Sequence, residues 1–182
     1  SQYVKIKRDD DDEHGVPFSD ADLKILWDNK TNETAEMLLI MCYSGWRISE
    51  YIGLEVILQK KYFLGGIKTE AGKGRIVPIH SGILPLVERR ISKYGKLLPC
   101  NDKDFRKQMD ELLNQLGIPG NPKHTPHDCR HTFSMLCEKY EVKENDRKRM
   151  MGHSFKADIT NKVYGHRDIE DLRKELEKIT ID

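Results

Sequence analysis

The chain has 182 residues, and 31 Lys and Arg against 30 Asp and Glu leave a formal net charge of +1. This length fits about one domain, and the near-zero charge argues against a histone-like polycation. The longest apolar run, residues 37–43, is far shorter than the roughly 20 residues that cross a bilayer, so no membrane span is predicted.

The first 18 residues lack a hydrophobic period and carry five consecutive acids at positions 9–13. Without that run the chain has 31 basic and 25 acidic residues, a net charge of +6. We interpret 1–18 as a solvated linker rather than a cation site, because the run lacks the glycine and terminal glutamate of a calcium loop. Residues 1–15 lack the apolar stretch of a signal peptide, so we expect a cytoplasmic protein. The chain has no CxxC pair, and we expect four reduced cysteines, with Cys42 and Cys137 in the core.

Hydrophobic periodicity predicts three helices in the first third, over about 19–29, 33–43 and 47–54. Ser19 or Asp20 can cap the first of them. In the third, we expect three side chains to face inward: Ile48, Tyr51 and Ile52.

From residue 56 the hydrophobic pattern becomes typical of strands, in the runs VILQ, KYFLGGIKT and GRIVPIH. We predict an antiparallel sheet of two or three strands with a hairpin tip at 71–74. Helical periodicity then returns at 83–94, 102–116, 129–140, 144–150 and 169–179. The fold class is therefore α+β, mainly α-helical with a small antiparallel sheet, and one domain covers 19–182.

The segment SGWRISE at 44–50 places Arg47 at the start of a helix with Glu50 one turn later, on the same face. A guanidinium held by a carboxylate is a rigid bidentate phosphate clamp, which a lysine replaces poorly. Alone, the pair is more typical of an ordinary surface ion pair.

The segment TPHDCRHTF at 125–133 places Pro126 in a first helical turn, with His127 and Arg130 on one face near the helix N-terminus. Imidazole and guanidinium side by side can bind two oxygens of one phosphoryl group, and the imidazole can also move a proton. His131 points elsewhere on the helix, as a packing or supporting group.

In the segment MMGHSFKADITNKVYGH at 150–166, His153 follows a glycine that ends a helix, and Tyr164 comes eleven residues later. A tyrosine nucleophile needs neighbours that offset a phenolate, because its ordinary pKa is about 10. Arg47, Arg130 and His153 could supply that field. The alternative is a half-buried core tyrosine.

Basic residues outside these segments could contact a polyanion such as DNA, although a solvated helix face is the more common explanation for any single cluster. The candidates are Lys73, Arg75, Lys123 and His124.

Taken together and in this order, these segments resemble the catalytic domain of the tyrosine recombinases, also called the phage integrase family. GWRISE resembles its first arginine box, HDCRHTF its histidine and second arginine box, and GH with VYGH its closing histidine and nucleophilic tyrosine. IKTEAGKGRIVPIH resembles its lysine hairpin. The resemblance runs from about residue 18 to 166. The segments KTEAGKGR and DITNKVYGH look most like integrases of Gram-positive conjugative transposons.

The resemblance implies that Tyr164 attacks the scissile DNA phosphate, forms a 3′-phosphotyrosyl link and releases a 5′-hydroxyl. Arg47 and Arg130 would stabilise the charge of the transition state. The reverse reaction, with a 5′-hydroxyl from another strand, reseals the DNA.

Further roles are implied for residues around these three. Lys68, preferred over Lys73, would protonate the departing 5′ oxygen. His127 would act in proton transfer, and His153 would hydrogen-bond the phosphate. Glu50 and Asp128 would orient the arginines and the helix of the second box.

The resemblance implies no metal and no cofactor. The partners it implies are double-stranded DNA, a homotetramer on that DNA and an accessory or excisionase protein. We expect the N-terminal core-binding domain of the family to be absent. The helix at 169–179 would dock on a neighbouring protomer, or pack on its own domain. The alternatives are a type IB topoisomerase-like enzyme and a non-catalytic DNA-binding protein.

Overall fold

The computed structural model describes residues 15–66, 74–153 and 167–182. The described elements, in chain order, are α1 (Asp20–Asp28), α2 (Glu33–Cys42), α3 (Ile48–Tyr51), β1 (Glu55–Ile57), β2 (Tyr62–Gly65), β3 (Arg75–Pro78), α4 (Leu84–Tyr94), α5 (Asp102–Gln115), α6 (Pro126–Lys139), α7 (Glu144–Met151) and α8 (Ile169–Leu176). This arrangement confirms the predicted fold class, mostly helical with a small antiparallel sheet. No helix in these ranges is long and apolar enough to cross a bilayer.

Helix α2 is the central helix of the core. Asn32 caps it by accepting the N–H groups of Thr34 and Ala35 at 2.9 and 3.0 Å. From Ala35 to Cys42 every residue is buried, and the helix packs against α1, α4, α5 and α6. Apart from Glu36 these residues are apolar, and a helix with apolar residues on every side lies inside the domain, because any exposed face would cost hydrophobic free energy.

The sheet has the order β1–β2–β3, and both pairs are antiparallel. Phe63 on β2 pairs with Val77 on β3, and both side chains are fully buried. Ile76, one position away on β3, is 41% exposed, as expected where successive side chains point to opposite faces. The predicted hairpin tip at 71–74 lies mostly outside the described residues.

The bounds of α3, α6 and α8 differ from those predicted by hydrophobic periodicity; α8 ends at Leu176 rather than 179. Helix α3 ends at Tyr51, whose hydroxyl lies 2.6 Å from Ser44 Oγ and accepts the Trp46 N–H at 3.1 Å. The prediction that Ile52 faces inward is wrong, because the helix stops after about one turn and leaves Ile52 47% exposed. Helix α6 begins at Pro126, as the segment TPHDCRHTF predicts, and not at 129, where the hydrophobic periodicity starts. Asp128 accepts the Thr125 N–H at 3.2 Å and closes the first turn.

Helix α8 packs on its own domain, which is one of the two placements left open by the sequence. Leu172, Leu176 and Ile179 are buried. Arg173 donates to the Lys60 and Lys61 carbonyls, both at 2.9 Å, which fixes the helix to the turn between β1 and β2.

All four cysteines are free thiols, and the predicted burial of Cys42 and Cys137 is confirmed. Cys129 is buried as well. Burial raises the pKa of Cys137 to about 12, so this thiol stays protonated at neutral pH.

Candidate functional site

Arg130 lies at the centre of the candidate site, on the second turn of α6. Its Nη1 donates to the Gly45 carbonyl at 2.7 Å, and its Nη2 donates to the Met151 carbonyl at 2.8 Å. The side chain is only 1% exposed. One guanidinium therefore joins the loop after α2 to the end of α7.

This junction requires a glycine at position 45. Gly45 has a φ of +75°, a conformation that residues with a Cβ rarely adopt. An added Cβ would also overlap the Phe133 ring. The close approach of backbone and ring brings the Gly45 carbonyl within reach of Arg130.

Arg47 lies immediately after this loop, as the N-cap residue of α3. Glu50 Oε1 accepts the Arg47 N–H at 2.9 Å and lies 3.9 Å from Arg47 Nη1. The Arg47 side chain is 37% exposed, whereas that of Glu50 is only 11% exposed. The predicted pair therefore exists, with the carboxylate inside and the guanidinium extending to the surface.

Glu50 binds a second guanidinium, that of Arg75 on β3. Arg75 Nη1 and Nη2 donate to Glu50 Oε2 and Oε1 at 3.2 and 3.3 Å. Arg75 Nε donates to the Met150 carbonyl at 3.0 Å, and the guanidinium lies 3.9 Å from the centre of the Trp46 ring.

The guanidinium groups of Arg47, Arg75 and Arg130 share one electrostatic environment. Burial is the main cause that lowers the pKa of Arg75 from its ordinary value; Glu50 opposes it, and the charges of Arg130 and Arg47 add to the lowering. Arginine nevertheless keeps its proton at neutral pH. Three cations with one carboxylate among them leave the site positive, which suits an anion such as phosphate.

His153 follows the end of α7, at the same junction. Gly152 ends the helix in the left-handed conformation, and the His153 N–H donates to the Lys148 carbonyl at 2.9 Å. Met151, whose carbonyl binds Arg130, is two residues before His153. The structure therefore brings three predicted site residues to one place: Arg47, Arg130 and His153.

His127 and His131 lie one turn apart on α6. Their rings make an edge contact with centroids 5.4 Å apart, and both side chains are half-buried. His131 Nε2 accepts the Gly15 N–H at 2.7 Å, so this nitrogen carries no proton. The prediction that His131 points elsewhere on the helix than His127 is wrong, because the two residues are one turn apart and their rings are in contact. His131 also holds the segment before α1 in place through Gly15.

Asp128 anchors the N-terminus of α6. Its carboxylate accepts the Val16 N–H at 3.1 Å and lies 2.8 Å from His124 Nδ1. Burial raises the pKa of Asp128, but hydrogen bonds from His124, Val16 and Thr125 outweigh it and hold the pKa below its ordinary value. The carboxylate therefore stays charged at neutral pH.

The predicted contact of His124 with DNA is corrected by its burial. His124 is only 4% exposed and lies over the Phe18 ring, with centroids 4.1 Å apart. Lys123, in contrast, is exposed and pairs with Asp110 at 3.0 Å. Arg75, predicted as another DNA contact, has the protein partners described above.

Three of the predicted residues lie outside the described ranges: Lys68, Lys73 and Tyr164. Two residues of the site could not be recognised among the sequence motifs, Trp46 and Asp146. For Trp46 a signal existed, because an indole beside an arginine box can stack on a guanidinium. Asp146 is 1% exposed and paired with Arg149 and Arg167. A lone aspartate in the polar run ENDRKR gives no sign of burial.

Comparisons with known proteins identify a family and a fold. The profile of the phage integrase family matches residues 20–171. No curated protein sequence matches the chain.

Solved structures with the same fold include an integrase from mycobacterium phage Brujita. It is 16% identical with a TM-score of 0.67, and the match covers 90% of this chain and 57% of that one. The Tn1549 transposon integrase, solved in complex with circular intermediate DNA, is 19% identical with a TM-score of 0.61 over 89% of this chain and 64% of that one. The chain therefore spans about three fifths of the length of these structures.

Proposed function

Because the chain belongs to the phage integrase family, we propose that it carries the catalytic domain of a site-specific DNA recombinase. The observation that carries this proposal is the junction made by Arg130. One buried guanidinium holds the loop before Arg47 and the segment before His153, which supports a common site for the three proposed phosphate-binding residues.

The proposed nucleophile is Tyr164. Its hydroxyl gives its proton to His127 as the oxygen forms a bond to the scissile phosphorus, and the bond from phosphorus to the 5′ oxygen breaks. The 5′ oxygen takes a proton from Lys68 and leaves as a hydroxyl, and the 3′ end stays on the tyrosine. Attack by a 5′-hydroxyl of another strand reverses these steps, which reseals the DNA without loss of bond energy.

Arg47 and Arg130 bind the non-bridging oxygens and stabilise the negative charge of the pentacoordinate transition state. Such fixed cations supply the largest part of the rate enhancement when they are oriented in advance. His127 takes part in proton transfer, and His153 donates to the phosphate. Since the cations are side chains, the proposed chemistry needs no metal ion.

The proposed partner is double-stranded DNA, on which four protomers assemble, with an accessory or excisionase protein that sets the direction. A role in the integration and excision of a mobile element is supported by the fold shared with the Tn1549 transposon integrase. The same likeness supports a relationship to integrases of Gram-positive conjugative transposons. In this assignment, 19–182 forms the catalytic domain and 1–18 a linker.

The test uses the 182-residue chain and a pool of nicked duplexes whose sequence is randomised around the scissile position. The nick releases a short 5′-hydroxyl fragment after cleavage, which traps the covalent intermediate. We expect an SDS-resistant protein–DNA adduct that Tyr164→Phe abolishes. The matched control Tyr140→Phe, at a half-buried tyrosine at the other end of α6 from His127, retains it.

No adduct with the wild-type chain, or an adduct that survives Tyr164→Phe, contradicts the proposed nucleophile. Salt-sensitive DNA binding without an adduct would instead identify a non-catalytic DNA-binding protein. Relaxation of supercoiled DNA without exchange between duplexes would identify a topoisomerase.

A further inference from the structure

The guanidinium of Arg75 holds three separate parts of the candidate site together. It binds both carboxylate oxygens of Glu50 on α3, the Met150 carbonyl at the end of α7 and the face of the Trp46 ring. Its side chain is only 17% exposed. Nε, Nη1 and Nη2 of Arg75 therefore all donate to protein acceptors, which is the arrangement expected of a group that holds other groups in place.

The partners of Arg75 lead directly to two proposed phosphate-binding residues. Glu50 Oε1, which Arg75 Nη2 contacts, also accepts the backbone N–H of Arg47. Met150 precedes Met151, whose carbonyl binds Arg130, and the helix ends one residue later, before His153. Arg75 and Arg130 thus bind consecutive carbonyls at the end of α7, where the helix dipole favours cations.

The enclosure of Arg75 is tight. An added Cβ at Gly66 would lie 2.9 Å from Arg75 Nη1, and one at Gly152 would overlap the same guanidinium. Both glycines have positive φ values, of 89° and 74°. The backbone therefore leaves room for a flat guanidinium. Lysine has no planar fork and cannot make the same set of directed hydrogen bonds.

We propose that Arg75 is a positioning residue for DNA cleavage, which orients Arg47 through Glu50 and His153 through the end of α7. This inference rests on the proposed function. It replaces the sequence-based interpretation of Arg75 as a DNA contact, and it assigns the arginine at the start of β3 to the organisation of the transition-state cations.

The test compares Arg75→Lys with the wild-type chain on duplexes recovered from the adduct selection. We expect the single-turnover rate of adduct formation at saturating DNA to fall by about 10- to 100-fold, since misplacement of a reacting group by about 1 Å has that effect. The Kd for DNA should stay within about twofold of the wild-type value, with an unchanged salt dependence, because no phosphate contact is removed. The matched control Arg106→Lys changes an exposed guanidinium paired with Asp102, and should alter neither quantity.

A second variant separates positioning from general loss of structure. Glu50→Gln keeps the shape of the carboxylate and removes its charge, and it should lower the same rate. If Arg75 acts through Glu50, the rate of the double variant with Arg75→Lys and Glu50→Gln falls by much less than the product of the two single fold-decreases. Thermal unfolding of each variant gives the folded fraction by which its rate is corrected.

Three outcomes overturn the inference. A raised Kd for Arg75→Lys with a wild-type rate at saturation would make Arg75 a DNA contact. Multiplicative losses in the double variant would show that Arg75 does not act through Glu50. A wild-type chain that forms no adduct would overturn the proposed function as well. In the first two outcomes the wild-type chain does form the adduct, so the two kinds of failure are distinguishable.

Discussion

Asp146 on α7 is joined by two hydrogen bonds to Arg167, just before α8. Arg167 Nη2 and Nε donate to the carboxylate at 2.8 and 3.1 Å. Asp146 is 1% exposed, and Arg149 donates to it as well at 3.1 Å. The pair binds the last described segment, 167–182, to the body of the domain.

We expect Asp146→Ala to lower the free energy of unfolding by roughly 2–3 kcal/mol, because it leaves two guanidinium groups without their buried counter-ion. Arg167 is 23% exposed, which keeps the loss below that of a fully buried pair. Urea denaturation measures this loss in the free energy of unfolding. Asp102→Ala removes an exposed i,i+4 pair and should cost less than about 1 kcal/mol. Equal losses in the two variants would contradict the special role of Asp146.

Glu33 at the start of α2 makes the free energy of unfolding depend on pH in the acidic range. Hydrogen bonds from Lys93 and Tyr94 lower the pKa of Glu33 from 4.5 to about 2. A carboxyl whose pKa is lower in the folded state stabilises it above pH 4.5, and that contribution is lost as the pH falls towards 2. The wild-type chain should therefore exceed Glu33→Gln in stability at pH 6, with a difference that shrinks to near zero at pH 2. Because Glu33 is 43% exposed, the difference should be about 1 kcal/mol or less.

The arginine and histidine boxes could be predicted from the sequence because their chemistry depends on residue type and helical spacing. Arg47 with Glu50, and His127 with Arg130, are one turn apart, and the structure keeps each pair on one helix end. The small antiparallel sheet could be predicted for a similar reason, since its apolar runs are separated by turn residues.

Long-range partners could not be read in this way. Arg75 stands in a basic segment that is typical of a solvated hairpin, and nothing local indicates its contact with Trp46. Glu36 lies within an apolar helix, yet it is 1% exposed because Arg89 and Arg90 from α4 neutralise it. A buried charge is tolerated only with such a partner, and only the fold supplies the partner.

Gly45→Ala tests the backbone junction at Arg130. The variant combines left-handed strain with an overlap between the new Cβ and the Phe133 ring. Gly95→Ala is a matched control, since Gly95 has a φ of 72° and nothing within 4 Å of its added Cβ. We expect Gly45→Ala to cost about 1–3 kcal/mol more than the control in urea denaturation, as overpacked core sites do. Equal costs would mean that the Phe133 ring moves aside freely.

Removal of divalent cations tests the proposal that side chains alone supply the positive charge of the site. We expect the rate of adduct formation to be the same in excess EDTA and in buffer with Mg²⁺ at matched ionic strength. Arg130→Ala should abolish adduct formation in both buffers, because the oxyanion then lacks a fixed cation. A loss with EDTA that Mg²⁺ restores would contradict metal-independent cleavage.

The adjacent residues Lys123 and His124 should separate DNA binding from stability. Lys123 is exposed, so Lys123→Gln should raise the Kd for DNA and lower the slope of log Kd against log salt by about 1 if the lysine contacts a phosphate. His124 is buried against Phe18 and lies 2.8 Å from Asp128, so His124→Ala should leave the Kd within about twofold. The same variant should lower the free energy of unfolding by about 2 kcal/mol, because it removes packing and a buried hydrogen bond to a charged group. Fluorescence anisotropy measures the Kd and urea denaturation the stability. A larger effect of His124→Ala than of Lys123→Gln on DNA binding would return His124 to the DNA interface.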